Sequence, residues 1–493
     1  MLFNSVPYAI FLAIVFVLHW LLPHRFRWIM LLIASYYFYM SWNPELVVLI
    51  ALTTLVSYSS GLLIDRYRNA EGRKANLPKL FLVLALVICF GVLFFFKYFD
   101  FFSESITALL RSFSLPVQDW TLKLVLPVGI SFYTFQTLSY VIDVYRGVIP
   151  VEKHLGYYTL YVSFFPQLVA GPIERSDNLI PQLRKERTFD SAEGVDGLKW
   201  IAVGLFKKVV IADTLSVYVN TVYGNLSGYH GLSFIVATVF FAFQIYCDFS
   251  GYSDIAIGSG KLLGVKLMKN FDSPYFSQSI REFWSRWHIS LSTWFRDYVY
   301  IPLGGNRRKL PRVLLNLMIT FLLSGLWHGA NWTFVVWGAL HGCYVVVETL
   351  LNRAAKKNPR TSQKTKSSVT IQSLAKMLLT FALVCFAWVF FRANTLSDAF
   401  YGLSHMFDGI GSPIQYVAHA ARIMGLDRYD ILVRLLPVAM LAVFDIFNMR
   451  EDVFLSISRW KPVFRWTVYL MMIWFILFFP GTGGGGEFIY FQF

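Results

Sequence analysis

Charge is what this sequence has least of. Only 15% of its 493 residues are Asp, Glu, Lys or Arg, against 56% hydrophobic. Soluble domains carry about 25% charged residues, so a soluble globule is excluded. Several apolar runs reach the roughly 18 residues needed to cross a bilayer, and the chain reads as a polytopic membrane protein. Acidic residues are scarcer than basic ones, 29 against 44, for a net charge of +15. The Lys and Arg residues sit in short loops between apolar runs and not on one soluble domain, so they follow the positive-inside pattern, and no nucleic-acid partner is expected. Cysteine is sparse as well. Cys89, Cys247, Cys343 and Cys385 form no CxxC or metal-ligand spacing, so reduced thiols in the core are expected. HxxH and HExxH spacings are absent too, and no metal centre or bound cofactor is expected. There is no internal repeat, and no inverted pair of halves of the transporter kind. Met1 to Leu22 lacks a basic n-region and a small-residue cleavage site, so it reads as a retained first span.

Orientation follows from the loops. Arg25 and Arg27, then Arg66, Arg68, Arg73, Lys74 and Lys79, mark two cytoplasmic loops, and the connection at 41–45 between them has no positive charge. The N-terminus is therefore expected outside. Spans are predicted near 5–22, 27–41, 44–64 and 80–99, the last leaving to a loop with Glu104, Arg111 and Asp119. Others fall near 122–142, 199–222, 233–250, 313–330, 331–350, 370–391, 430–448 and 464–480, about twelve crossings in all. The stretch 155–170 is short for a crossing and has basic residues at both ends. It is expected to enter and leave on the cytoplasmic face, buried in protein. The block 251–312 is basic and rich in Trp and Tyr, the composition of an interfacial region. Arg353 to Lys366 is a hydrophilic cytoplasmic linker, and the Gly483 to Gly486 run and the tail Glu487 to Phe493 are expected to end outside. The whole chain is expected to be one integral-membrane domain: N-terminal helices 1–122, a core 123–350, a basic linker 351–369, and C-terminal helices with the outer tail 370–493.

Between the spans near 313–330 and 331–350 stands Ser324-Gly325-Leu326-Trp327-His328-Gly329-Ala330-Asn331-Trp332. A titratable imidazole in hydrocarbon is rare and marks function. The small residues around His328 leave room for another backbone or a substrate. The plain alternative is a histidine hydrogen-bonded inside a bundle. An imidazole suits group transfer because one group both takes and gives a proton near neutrality. Two roles are open to it, deprotonation of an acceptor hydroxyl or transient acceptance of the acyl group.

Three more constellations stand out. One is Arg281 to Ser292, which contains Trp284, Arg286 and His288, with Arg296 following. Another is Tyr246-Cys247-Asp248-Phe249-Ser250-Gly251-Tyr252-Ser253-Asp254. The third is Phe164 to Arg175, broken by Pro166, Gly171 and Pro172. Each has a structural reading: Asp248 and Asp254 as helix caps or lysine partners, Arg286 and Arg296 as lipid anchors, and the prolines as kinks. The sequence leaves the distance between His288 and His328 open. His341 follows His328 by nearly four helical turns and reads as a support residue on the same face.

Taken together, Trp287-His288-Ile289-Ser290, Leu326-Trp327-His328-Gly329, Ser131 to Gln136, Pro166 to Arg175 and Asp248 to Asp254 resemble the membrane-bound O-acyltransferase family. The likeness is densest between Val128 and Gly342. Trp337 to Gly342 and Phe488 to Phe493 add a likeness to the alginate O-acetyltransferase membrane subunits of bacteria, while the D-alanyl transfer proteins of teichoic acid synthesis share the core motifs. The resemblance implies an all-α polytopic fold of about 11–12 membrane helices, with re-entrant and interfacial helices around a central tunnel. It implies His328 as catalytic and His288 as its companion, with Asp248, Ser250, Trp327, Asn331, His341 and Gln136 in support. Trp284, Arg286 and Arg296 would face acyl-CoA on the cytoplasmic side. The implied donor is acetyl-CoA, and the implied partners are an exported, hydrolase-like acetyltransferase, a polysaccharide acceptor and the bacterial inner membrane. A proton-coupled transporter or channel with His328 as relay is the alternative from another class.

Overall fold

The computed structural model describes residues 1–493 except Ala170, 356–369, Asp452, 480–487 and 492–493. The expected linker at Arg353 to Lys366 thus lies mostly outside the described residues, as does the run Gly483 to Gly486. Every regular element among the described residues is helical, and the chain is an all-α, multi-pass membrane protein. Six of the described helices are long and apolar enough to cross a membrane: Pro44–Tyr67, Lys74–Ser112, Leu232–Leu262, Leu310–His328, Trp332–Ala354 and Ile371–Arg392. Val6–Leu21 and Pro462–Phe478 are apolar but shorter.

Several boundaries differ from expectation. The span expected near 80–99 does not end in a loop. No Gly or Pro occurs from 92 to 115, and the helix passes through a wide π turn at Phe94–Tyr98 into Phe99–Ser112. Glu104 and Arg111 are therefore helical, and the Asp119 carboxylate in the following loop reaches back to Arg111 at 3.1 Å. The span expected from 122 begins only at Ile130, because Pro127 and the left-handed Gly129 (φ 74°) hold the preceding chain out of a helix. A side chain at 129 would meet the Leu168 carbonyl at 2.7 Å. The span expected to stop near 250 continues to Leu262, so Gly251, Ser253 and Asp254 are helical and neither Asp248 nor Asp254 caps a following helix. The stretch at 155–170 divides into Leu155–Ser163 and Phe165–Leu168 about an extended Phe164, too broken to cross by itself. Cys89 and Cys247 are buried, but Cys343 is exposed and Cys385 half-buried.

The chain divides into two compact units, Met1–Ile201 with Ser253–Met268, and Ala202–Tyr252 with Lys269–Phe493. The first is packed on aromatic side chains. Phe165 stands edge-on to Phe11 at 5.0 Å and lies 5.8 Å from Phe38, while the Tyr8 hydroxyl and Ser259 Oγ are hydrogen-bonded at 2.8 Å. Gly197 and Gly258 let two backbones touch, since a side chain on Gly258 would meet the Gly197 carbonyl at 2.4 Å.

The second unit is built on a helical hairpin, Leu310–His328 and Trp332–Ala354. These helices cross at Gly325 and Gly338. A side chain on Gly325 would lie 2.3 Å from the Phe334 carbonyl, and one on Gly338 would lie 2.4 Å from the Phe321 carbonyl. The small residues beside His328 thus admit a neighbouring backbone. Membrane helices gain by such close approach because lipid offers no hydrophobic drive for their association.

Candidate functional site

His328 is the last residue of its helix, and the sequence dictates the stop. Gly329 is extended (φ −160°, ψ 149°), and any side chain there would collide with the Phe334 ring at 2.1 Å. Asn331 then starts the next helix, its Oδ1 accepting from the Thr333 N–H at 3.0 Å, a side-chain N-cap. Its Nδ2 donates to the Asn394 carbonyl at 3.0 Å, tying the break to the chain that follows Ile371–Arg392. Asn331 therefore shapes the turn that presents the histidine.

The imidazole sits in a cage of rings. Trp337 stands edge-on at 4.9 Å and Trp327 at 5.0 Å, with Phe391 at 5.5 Å and Tyr490 at 5.6 Å. His288 is 6.4 Å away between ring centroids, so the distance left open by the sequence is a short one. Both histidines are buried, at 2% and 0% exposure. Among the described residues the Trp337 indole N–H finds no hydrogen-bond partner. A buried donor without a partner is suited to a developing oxyanion.

His288 owes its placement to an unusual backbone. It adopts the left-handed conformation (φ 43°) between Ile280–Arg286 and Ile289–Phe295, a region sparsely used by non-glycine residues. Asn270 Oδ1 accepts from the Ser290 N–H at 3.2 Å and from Ser290 Oγ at 2.9 Å, and faces His288 Nδ1 at 3.2 Å. A carbonyl oxygen has no proton to give, so Nδ1 carries the proton and Nε2 the lone pair. Burial pushes the His288 imidazole down to about 3, which keeps it neutral at physiological pH.

His341 extends the same cluster, 4.9 Å from Trp337, and its Nδ1 accepts from Trp284 Nε1 at 3.2 Å. Trp284 is thereby buried against His341, which gives its indole N–H a partner. Arg286 pairs with Glu282 at 2.6 Å and Arg296 with Asp297 at 2.7 Å. These pairs are local and leave Arg296 at the surface. Ser250 is buried, and among the described residues its hydroxyl finds no hydrogen-bond partner.

Asp248 belongs to a buried charge cluster, with a lysine as its partner. Lys208 Nζ lies 2.6 Å from Asp248 Oδ1 and 2.7 Å from Asp213 Oδ1, with all three residues buried. Lys207 and Lys208 stand side by side in a π turn, Phe206–Ala212, and such turns recur at functional positions. The widened turn lets both lysines point inward, and Lys207 Nζ rests 5.6 Å from the rings of Tyr246 and Phe444. Within the tail, Phe488, Ile489 and Tyr490 pack into this unit. The Ile489 N–H donates to Asp248 Oδ2 at 2.7 Å, Phe488 lies 4.6 Å from Tyr252, and Tyr490 lies 4.6 Å from Phe249. Among the described residues the buried Tyr490 hydroxyl finds no hydrogen-bond partner. Tyr490, Lys208, Asp213 and Asn270 are the site residues that sequence reasoning missed. Of these only Tyr490 lies in a stretch that the sequence singles out, Phe488 to Phe493.

Gln136 belongs to the other unit, where its Nε2 donates to the Tyr161 carbonyl at 2.7 Å, beside Gln167 Nε2 at 2.8 Å. The same unit holds Glu174, whose carboxylate accepts from Asn178 Nδ2 at 2.7 Å and the Met268 N–H at 2.5 Å. Burial pushes its carboxyl up to about 7. A raised carboxyl adds stability below its unfolded value, and that stability is lost as pH rises through the folded value. Glu174→Gln keeps an acceptor oxygen and carries no charge. It is expected to raise the thermal midpoint above pH 7 and to flatten its decline between about pH 4.5 and 7, read from unfolding of the two proteins across that range. An unchanged decline would show that Glu174 does not titrate there.

Comparison with known proteins adds identity to geometry. The family profile described as MBOAT, membrane-bound O-acyltransferase family, matches residues 152–389. A Pseudomonas aeruginosa protein named "Probable alginate O-acetylase" is 41% identical over 409 residues, 83% of this chain and 75% of that one. A peptidoglycan O-acetyltransferase of Helicobacter pylori is 37% identical over 399 residues, 75% of this chain and 71% of its own length. A teichoic acid D-alanyltransferase of Bacillus subtilis is 27% identical over 287 residues, 54% of this chain and 69% of its own.

Proposed function

The chain belongs to the membrane-bound O-acyltransferase family and is an O-acyltransferase, and from that premise we propose that it takes an acetyl group from cytoplasmic acetyl-CoA and passes it across the bacterial inner membrane. The acetyl group goes to an exported polysaccharide such as alginate, through an exported, hydrolase-like partner. The observation that carries this reading is the approach of His328 to His288 within 6.4 Å at a helix break. His328 serves as the base for the acceptor oxygen or as the transient acyl carrier, and His288, held neutral with its proton on Nδ1, stands beside it. The surrounding rings keep water from the thioester, which protects it from hydrolysis before transfer. The Trp337 N–H suits the oxyanion that forms as the thioester carbonyl is attacked.

Relatives that carry D-alanyl groups make a second donor chemistry worth testing in the same assay. Purified protein in liposomes is expected to release CoA from labelled acetyl-CoA and to leave D-alanyl donors untouched. Acyl transfer from neither donor, with proton or solute flux appearing in their absence, would replace the transferase mechanism with the transporter one.

A further inference from the structure

We propose that the buried cluster Lys208–Asp213–Asp248 is a latch that seats the segment Phe488–Tyr490 against His328, with Asp248 as its positioning residue; this rests on the reading of His328 as the reacting group. Two carboxylates share one ammonium in this cluster, and all three groups are buried. A buried carboxylate is costly unless donors surround it. Asp248 spends Oδ1 on Lys208 and has Oδ2 turned to the tail, where the Ile489 N–H completes it at 2.7 Å. A backbone donor to an ionised acceptor is among the stronger hydrogen bonds.

The tail is gripped on both sides of that bond. Phe488 packs on Tyr252 at 4.6 Å, whose ring also carries Lys208 Nζ at 5.6 Å. Tyr490 packs on Phe249 at 4.6 Å and reaches the His328 ring at 5.6 Å. One turn of the Leu232–Leu262 helix, from Asp248 to Tyr252, therefore supplies a charged anchor with an aromatic clamp on each side of it. Departure of the segment would leave the Asp248 carboxylate buried and short of a donor. A segment with that cost of leaving is a fixed part of the site and not a lid that opens in each cycle.

Ile489→Pro tests this through one atom. Proline suits the first residue of a short helical turn but has no N–H to give. In the full-length protein, Ile489→Pro is expected to lower kcat for acyl transfer on the order of a hundredfold, the usual cost of small misplacement at a reacting centre. KM for acetyl-CoA should hold, and Tyr490 should become open to chymotrypsin by intact-mass analysis. Ile489→Ala keeps the N–H and should leave kcat within a few-fold and the segment protected. Adding Ile489→Pro to Asp248→Ala, which removes the acceptor, should cost little more than Asp248→Ala alone, since no bond to the Ile489 N–H is left to break. The latch is overturned if Ile489→Pro keeps its kcat and its protection, or if releasing the segment raises the rate. Should His328→Ala retain transfer, the reading of the active site fails, while the protection pattern still reports whether the latch exists.

Discussion

His328→Ala is expected to lower acyl transfer about 10²–10⁴-fold, the range for loss of a positioned acid–base group. A larger loss would speak for the covalent role. The substitution also removes a ring that touches Trp337, Trp327, Phe391 and Tyr490, so His328→Gln, closer in volume, separates chemistry from packing. Both variants should elute as the parent does and unfold within a few degrees of it, yet neither should release CoA above background. The measurement is CoA release and acceptor labelling at matched protein. Transfer at the parental rate by either variant ends the assignment of His328 as the reacting group. His288→Ala is the informative companion, because His288 is held by Asn270 and lies 6.4 Å from His328. If the two imidazoles act as one unit, the double variant should lose scarcely more than the stronger single one.

Gly325→Val should destroy the folded protein. The side chain would enter the space of the Phe334 carbonyl, 2.3 Å from its first carbon, with the backbone of Gly338 just beyond. No rotamer relieves a clash with backbone, so the two helices must part and the packing between them is lost. A cost above about 4–5 kcal/mol is exceptional for one substitution and belongs to overpacking of this kind. Loss of monodisperse protein from detergent extracts, compared with a conservative change at the exposed Leu323, is the check. Wild-type yield for Gly325→Val would mean that the helices do not cross at this point.

Much of this was legible in the sequence. Gly329 and Asn331 mark the end of one helix and the cap of the next, and His328 lies between them, so the break and its histidine were open to local reasoning. The short, broken stretch at 155–170 was likewise visible from Pro166 and its flanking charges. The helix ends near 99, 122 and 250 were not. Polar residues such as Glu104, Asp248 and Asp254 look like loop signals, but a helix carries them when they face a partner or the membrane surface. Lys208 and Asp213 escaped notice because their inward turn depends on a π turn that leaves no mark on apolar periodicity. Tyr490 escaped for another reason. Its place beside His328 arises from pairing across 241 residues, Asp248 with Ile489, which no local pattern contains.

The crossing at Gly325 and Gly338 bears on what the site can be made to carry. With two backbones in contact one turn below His328, the height of the imidazole relative to its neighbouring helix is a fixed datum. Larger or smaller acyl groups cannot be admitted by sliding that pair apart. Room for them has to come from trimming or enlarging Trp337 and Phe391, so re-engineering the chain length of the transferred group begins with those two rings.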